Sequence, residues 1–163
     1  MTKLLLLNLF LMVLWPALTD DFSVEGFTVG LILGAAIISV MERSYGRRIG
    51  RAVSFILYVL WEIVVSNISL AKLILIPGRI QRDLNPHIIA IPLAVESDLE
   101  ITLLASVITL TPGTLSMELG WREDGTRMLY VHNLKVQDPE QFIATIHEGF
   151  EKRIMSITRE EKN

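Results

Sequence analysis

The residue most able to do chemistry in this chain is Glu62. It lies near the middle of an apolar run, Ala52–Ile76, whose other charge is Lys72. An acid in such a run is expensive, and it faces protein or water. Ser66 and Ser69 follow at i+4 and i+7, so the three share one polar stripe on a helix. Asn67 lies beside it. Two chemistries fit. The carboxyl can handle a proton or cation, or it can be a hydrogen-bonding group that locks its helix to a neighbour. A proton relay usually needs a chain of acids. A single acid in the run weights the reading toward the lock.

Other patterns carry less chemistry. Gly26, Gly30 and Gly34 recur every four residues in a second apolar run, a small-xxx-small face that lets another helix approach closely. Thr109-Leu110-Thr111-Pro112-Gly113-Thr114 invites a phosphate-loop reading, but it lacks the lysine and the glycine spacing. Hydroxyls at such a corner bond neighbouring backbone instead, so Thr109, Thr111, Pro112, Gly113 and Thr114 are expected to form a rigid structural corner or interface. His87, His132 and His147 show no His-x-x-x-His or Glu-x-x-His spacing, so no metal site is expected. No nucleophile motif of the Gly-x-Ser-x-Gly kind occurs. The expectation is a protein without catalysis, metal or cofactor.

The elements that hold these residues follow from composition. The 163 residues are 51% hydrophobic and include no cysteine, which excludes disulfide frameworks, cysteine-zinc sites and disorder. A net charge of -3 argues against a nucleic-acid partner. Charge divides near Pro77. Residues 1–76 carry six basic and five acidic side chains of the 15 and 18 in the chain, leaving nine and thirteen for residues 77–163. A transmembrane helical region, 1–76, and a soluble α/β domain, 77–163, are therefore expected.

Three apolar runs fill the first region: Leu4–Leu18, Phe27–Met41 and Ala52–Ile76. A crossing helix needs about 20 apolar residues. The first two runs are short and need flanking residues or a thinned bilayer. The third can span with tilt. Trp15-Pro16-Ala17-Leu18-Thr19 is a poor cleavage site, so the first run reads as a retained anchor rather than a signal peptide. Asp20 and Asp21 begin the first turn. Arg43, Arg47, Arg48 and Arg51 surround Gly46 and Gly50 in a loop before the third run. Orientation stays open. Lys3 with this loop competes against Lys72, Arg79 and Arg82 under the positive-inside rule.

The second region reads as βαββα. His87–Val95 is β-rich, and Pro92 makes it an edge or bulged strand. Ser97-Asp98-Leu99-Glu100 is a capping box opening a helix to about Leu110. Leu115, Met117, Leu119 and Trp121 alternate as in a strand. Asp124-Gly125 signals a hairpin to Met128–Val136. Asp138-Pro139 opens a last helix with Phe142, Ile146, Phe150 and Ile154 on one face. The helix 99–110 is apolar on nearly every side, apart from Thr102, Ser106 and Thr109. It is too short to span, so one side is expected to cover the sheet. The other meets a membrane surface or another subunit, or the helix is deeply buried.

These residues also resemble a known family. Trp15, the Gly26/Gly30/Gly34 helix and Leu60-Trp61-Glu62 before Asn67 are similar to it. Pro92-Leu93, Ser97-Asp98, Thr102-Leu103-Leu104-Ala105 and Ile108 through Thr114 match more closely, as do Leu129-Tyr130-Val131-His132 and Glu148-Gly149-Phe150-Glu151. The family is the E subunit of the Mrp-type (Mnh/Pha) multisubunit sodium/proton antiporter. The resemblance covers essentially the whole chain. It implies a non-catalytic, multi-pass accessory subunit of the bacterial inner (plasma) membrane, with the other antiporter subunits and the lipid bilayer as partners. It also implies a cytoplasmic soluble domain. That conflicts with three full crossings if the Arg43–Arg51 loop is cytoplasmic too. Two rivals stand beside this reading: a stand-alone membrane enzyme, and a membrane-tethered adaptor or ligand-binding domain outside any antiporter.

Overall fold

A computed structural model describes residues 2–136 and 138–159 of the chain. It divides into two compact units, residues 1–53 and 54–163.

In the first unit, α1 (Thr2–Thr19) and α2 (Val24–Met41) form a hairpin, and α3 (Arg43–Leu75) begins. Asp20 makes the turn in the left-handed region, φ 56°, a conformation that aspartate tolerates better than most residues. Ser23 caps α2, its Oγ accepting from the Gly26 amide at 3.1 Å. The glycines of α2 lie on the buried face. A Cβ on Gly30 would stand 2.8 Å from the Met12 carbonyl oxygen and 2.9 Å from Trp15 Cβ. Pro16 sits inside α1 and has no N–H for that Met12 carbonyl, its i−4 partner. The oxygen that Pro16 leaves without its i−4 donor thus lies close against Gly30. Gly34 lies against the Asn8 amide in the same way. Asn8 is buried and donates to the Tyr45 hydroxyl at 3.0 Å.

The expected loop at Arg43–Arg51 is helix instead. One extended residue, Glu42, separates α2 from α3. Gly46 marks a close approach rather than a turn: a Cβ there would stand 2.9 Å from Ser39 Cβ.

The second unit holds the rest of α3, a short α4 (Arg79–Asp83) and the α/β domain. Strands β1 (His87–Pro92), β2 (Thr114–Trp121) and β3 (Arg127–Asn133) form an antiparallel sheet in the order β1-β3-β2. β1 is an edge strand, and Pro92 ends it. β2 is the other edge, with a bulge between Ser116 and Glu118. The hairpin at Arg122–Thr126 closes with the Arg122 amide donating to the Thr126 carbonyl at 2.9 Å, with Gly125 at φ 85°. Helix α5 (Asp98–Leu110) starts at the complete Ser97/Glu100 capping box. It buries Ile101, Leu104, Val107 and Ile108 with Ile91, Leu129 and Val131 of the sheet. Its other side leaves Leu99 and Leu110 exposed.

The C-terminal helix is α6 (Pro139–Thr145), a π-helical segment (Ile146–Glu151) and α7 (Lys152–Thr158). Asp138 caps it through the Glu140 and Gln141 amides. Ile146, Phe150 and Ile154 enter the core. Gly149 admits Tyr58 of α3, whose hydroxyl would stand 2.5 Å from a Cβ there.

Candidate functional site

Two of the patterns singled out in the sequence meet in one place. Within the second unit, Glu62, Ser66 and Ser69 line a cavity of about 300 Å³, and its far wall includes Thr111, Pro112, Gly113 and Thr114. Lys135 and Asn133 complete its polar rim. Asn67 is not among the lining residues; it is exposed, and its amide bonds the Ile63 carbonyl at 2.7 Å. Thr109 also lies elsewhere, its Oγ1 accepting from the Ser116 amide at 3.1 Å. Gly26, Gly30 and Gly34 belong to the other unit.

The hydroxyls at the corner are already engaged. Thr111 Oγ1 donates to the Ile108 carbonyl at 2.6 Å, and Thr114 Oγ1 donates to the same oxygen at 2.5 Å. These bonds satisfy carbonyls that the end of α5 leaves without helical partners. Gly113 takes φ 91°, which a side chain would strain. Its carbonyl accepts from the Leu134 amide at 2.9 Å, fixing the corner to the end of β3. Ser66 Oγ likewise donates to the Glu62 carbonyl at 2.6 Å. The Glu62 carboxylate interacts with the Tyr58 hydroxyl one turn earlier. The cavity therefore offers one carboxylate and one ammonium, from Glu62 and Lys135, on largely apolar walls. Such a site can hold water or lock α3 to the domain. Among the described residues, no three metal-ligating side chains cluster.

Two acids are buried in long-range contacts that the sequence did not reveal. Glu100 is 3% exposed. It accepts from Thr158 Oγ1 at 2.5 Å, Arg159 Nε at 3.3 Å, and the Glu96 and Ser97 amides at 3.1 and 3.3 Å. Burial alone would raise its pKa. The bonds from Thr158, Arg159 and the two amides outweigh burial and hold it at about 2. The same pair pushes Arg159 above its ordinary value, chiefly through the hydrogen bond to Glu100. Glu151 is fully buried and accepts from the Ala94 and Val95 amides at 3.0 and 3.4 Å, and it pairs with His147 one turn earlier. The capping box predicted one role for Glu100. Its partners 58 and 59 residues away left no local signal. The His147-x-x-x-Glu151 spacing was legible as an i,i+4 pair.

These features define a class: a small α/β domain joined to an apolar helical region, with one interior carboxylate facing a cavity. The family model described as Na+/H+ ion antiporter subunit (MNHE) matches residues 8–157. The E subunit of the Na(+)/H(+) antiporter of Alkalihalophilus pseudofirmus is 34% identical over 160 residues, covering 95% of this chain and 98% of its own. Its counterpart from Bacillus subtilis has the same identity and coverage. A chain in the Mrp complex from Dietzia sp. DQ12-45-1b superposes with a TM-score of 0.50 at 27% identity, covering 68% of this chain and 97% of its own. The chain belongs to the family of Na+/H+ antiporter E subunits.

Proposed function

We propose that this chain is a non-catalytic accessory subunit of a multisubunit sodium/proton antiporter, partnered by the other subunits of that assembly. The observation that carries this is the family match across residues 8–157 together with 34% identity to an antiporter E subunit over 95% of the chain. The structure gives the role physical content. The hairpin unit exposes Leu6, Phe10, Phe22, Val24 and Ile32, a surface that water does not tolerate and that lipid or neighbouring helices cover. α2 has the length and composition to cross a membrane. We place the chain in the bacterial inner membrane as a multi-pass protein, with the domain boundary near Pro77 and the domain on the cytoplasmic side.

In this reading Gly26, Gly30 and Gly34 pack the hairpin, the Thr111–Thr114 corner stiffens the domain, and Glu62 is a hydrogen-bonding lock. Deleting the gene should abolish assembly of the complex or its sodium/proton exchange, read in everted vesicles. An assembled complex with unchanged exchange would sink the proposal.

The cavity of about 300 Å³ favours one alternative, a tethered ligand-binding domain outside any antiporter. Purified alone, such an adaptor would be monodisperse. A subunit with uncovered apolar faces would aggregate.

A further inference from the structure

Length and composition alone allow α3 to cross a membrane. Its packing within the second unit does not. Phe55, Tyr58 and Val59 lie against the core of the α/β domain. The Tyr58 ring meets Phe150 edge-on at 5.5 Å and carries the Arg153 guanidinium over its face at 4.3 Å. Further along, Glu62, Ser66, Ser69 and Leu70 line the cavity against the domain, and Leu73 is buried. One face of the helix is thus accompanied by the domain from Phe55 to Leu73. That stretch is roughly 27 Å at a rise of about 1.5 Å per residue. It nearly equals the hydrocarbon thickness of about 30 Å. If it stood across the bilayer, the domain would stand in hydrocarbon beside it. An exposed Lys152–Glu148 ion pair and the edge of β2, unpaired among the described residues, would go with it. Hydrocarbon admits neither.

The opposite face is of another kind. Ile56, Leu57, Leu60, Trp61, Val64 and Ile68 are 50% to 64% exposed. Their spacing places them on one stripe, turned away from the domain. Basic residues bracket it, with Arg51 before and Lys72, Arg79 and Arg82 after. A wide apolar stripe with a tryptophan and flanking cations is the pattern of a helix lying in the membrane–water interface.

We propose that residues 54–75 of α3 lie in the plane of the membrane surface. The Ile56–Ile68 stripe enters the acyl boundary, the flanking bases meet anionic headgroups, and the domain stays in water. With α1 and α2 each crossing before this helix, the chain returns to the side on which it began. Lys3, the Arg43–Arg51 bases, Lys72, Arg79 and Arg82 all fall on that side, so the two basic clusters no longer compete under the positive-inside rule.

The chain has no cysteine, which makes the test direct. Single cysteines replace Ile56, Leu60, Val64 and Ile68 in turn, in the whole antiporter complex. The complex is reconstituted in phosphatidylethanolamine/phosphatidylglycerol vesicles, and a nitroxide is attached. Depth is read from relaxation by oxygen against a water-soluble nickel chelate. The expected result is one common depth, about 5–10 Å below the headgroups, at all four positions. A depth that changes by about 1.5 Å per residue along the series would indicate a crossing and overturn the proposal. Labels shielded from oxygen and nickel alike would also overturn it, because another subunit would then cover the stripe. In a second measurement, Arg47→Cys and Glu123→Cys should react with an impermeant thiol reagent from the same side. Reaction from opposite sides overturns the proposal independently.

Discussion

Two carboxylates show how residue type and surroundings divide the work. Thr158, Arg159 and two backbone amides outweigh burial and hold the pKa of Glu100 at about 2. Its folded pKa lies below its ordinary 4.5. Its stabilisation is therefore complete above about pH 4.5 and is lost as pH falls through about 2. Glu100→Gln should cost about 1–3 kcal/mol at neutral pH by losing charged hydrogen bonds. Thermal unfolding of the variant and the parent should converge on acidification. A gap that stays constant from pH 7 to pH 2 would contradict the assignment. Glu62 faces a cavity with a tyrosine hydroxyl for company, and glutamine can replace most of what a lock requires. Glu62→Gln should leave assembly intact and exchange within about twofold, a shift of under about 0.5 kcal/mol. Normal assembly with lost transport would instead assign proton handling to this acid. Glu62 was visible in the sequence because an acid interrupts an apolar run. The burial of Glu151 left no such signal, because its amide partners lie 56 and 57 residues away.

Elements here are defined as much by what is missing as by what is present. At Gly30 the missing side chain lets Met12 and Trp15 of α1 approach α2, so Gly30→Leu should break the hairpin and prevent assembly, checked by native gel of the solubilised complex. At Gly149 the tight neighbour is the end of the Tyr58 side chain. Gly149→Ala should therefore destabilise the domain, and Tyr58→Phe in the same chain should restore part of the loss. Unfolding measured on the two single variants and the double variant tests that coupling. Equal penalties that simply add would show that the hydroxyl is not the obstacle. Local chemistry made several ends legible: the Ser97/Glu100 box, the Asp138 cap ahead of Pro139, and the Asp124-Gly125 turn. The start of α3 was not legible. Arginines and two glycines read as loop, whereas Gly46 serves a close contact with Ser39. The π-helical segment at 146–151 also left no signal, since the four-residue apolar spacing carries across it.

For the whole molecule, the charge division near Pro77 separated an apolar region from a mixed one, and the βαββα order followed from turn chemistry and periodicity. What sequence could not supply was that the α/β domain itself meets the polar side of α3. That depends on Phe55, Tyr58 and Leu73 meeting residues far along the chain, and hydropathy counts them the same as Ile56 or Leu60. A further consequence lies at the open edge of β2, where Leu115, Met117, Leu119 and Trp121 are all exposed. Unpaired apolar edge strands recruit other strands. A copy made without partners is thus expected to be a target for proteolysis and a seed for self-association. Pulse-chase labelling should show a much shorter lifetime for the orphan chain than for the co-expressed one.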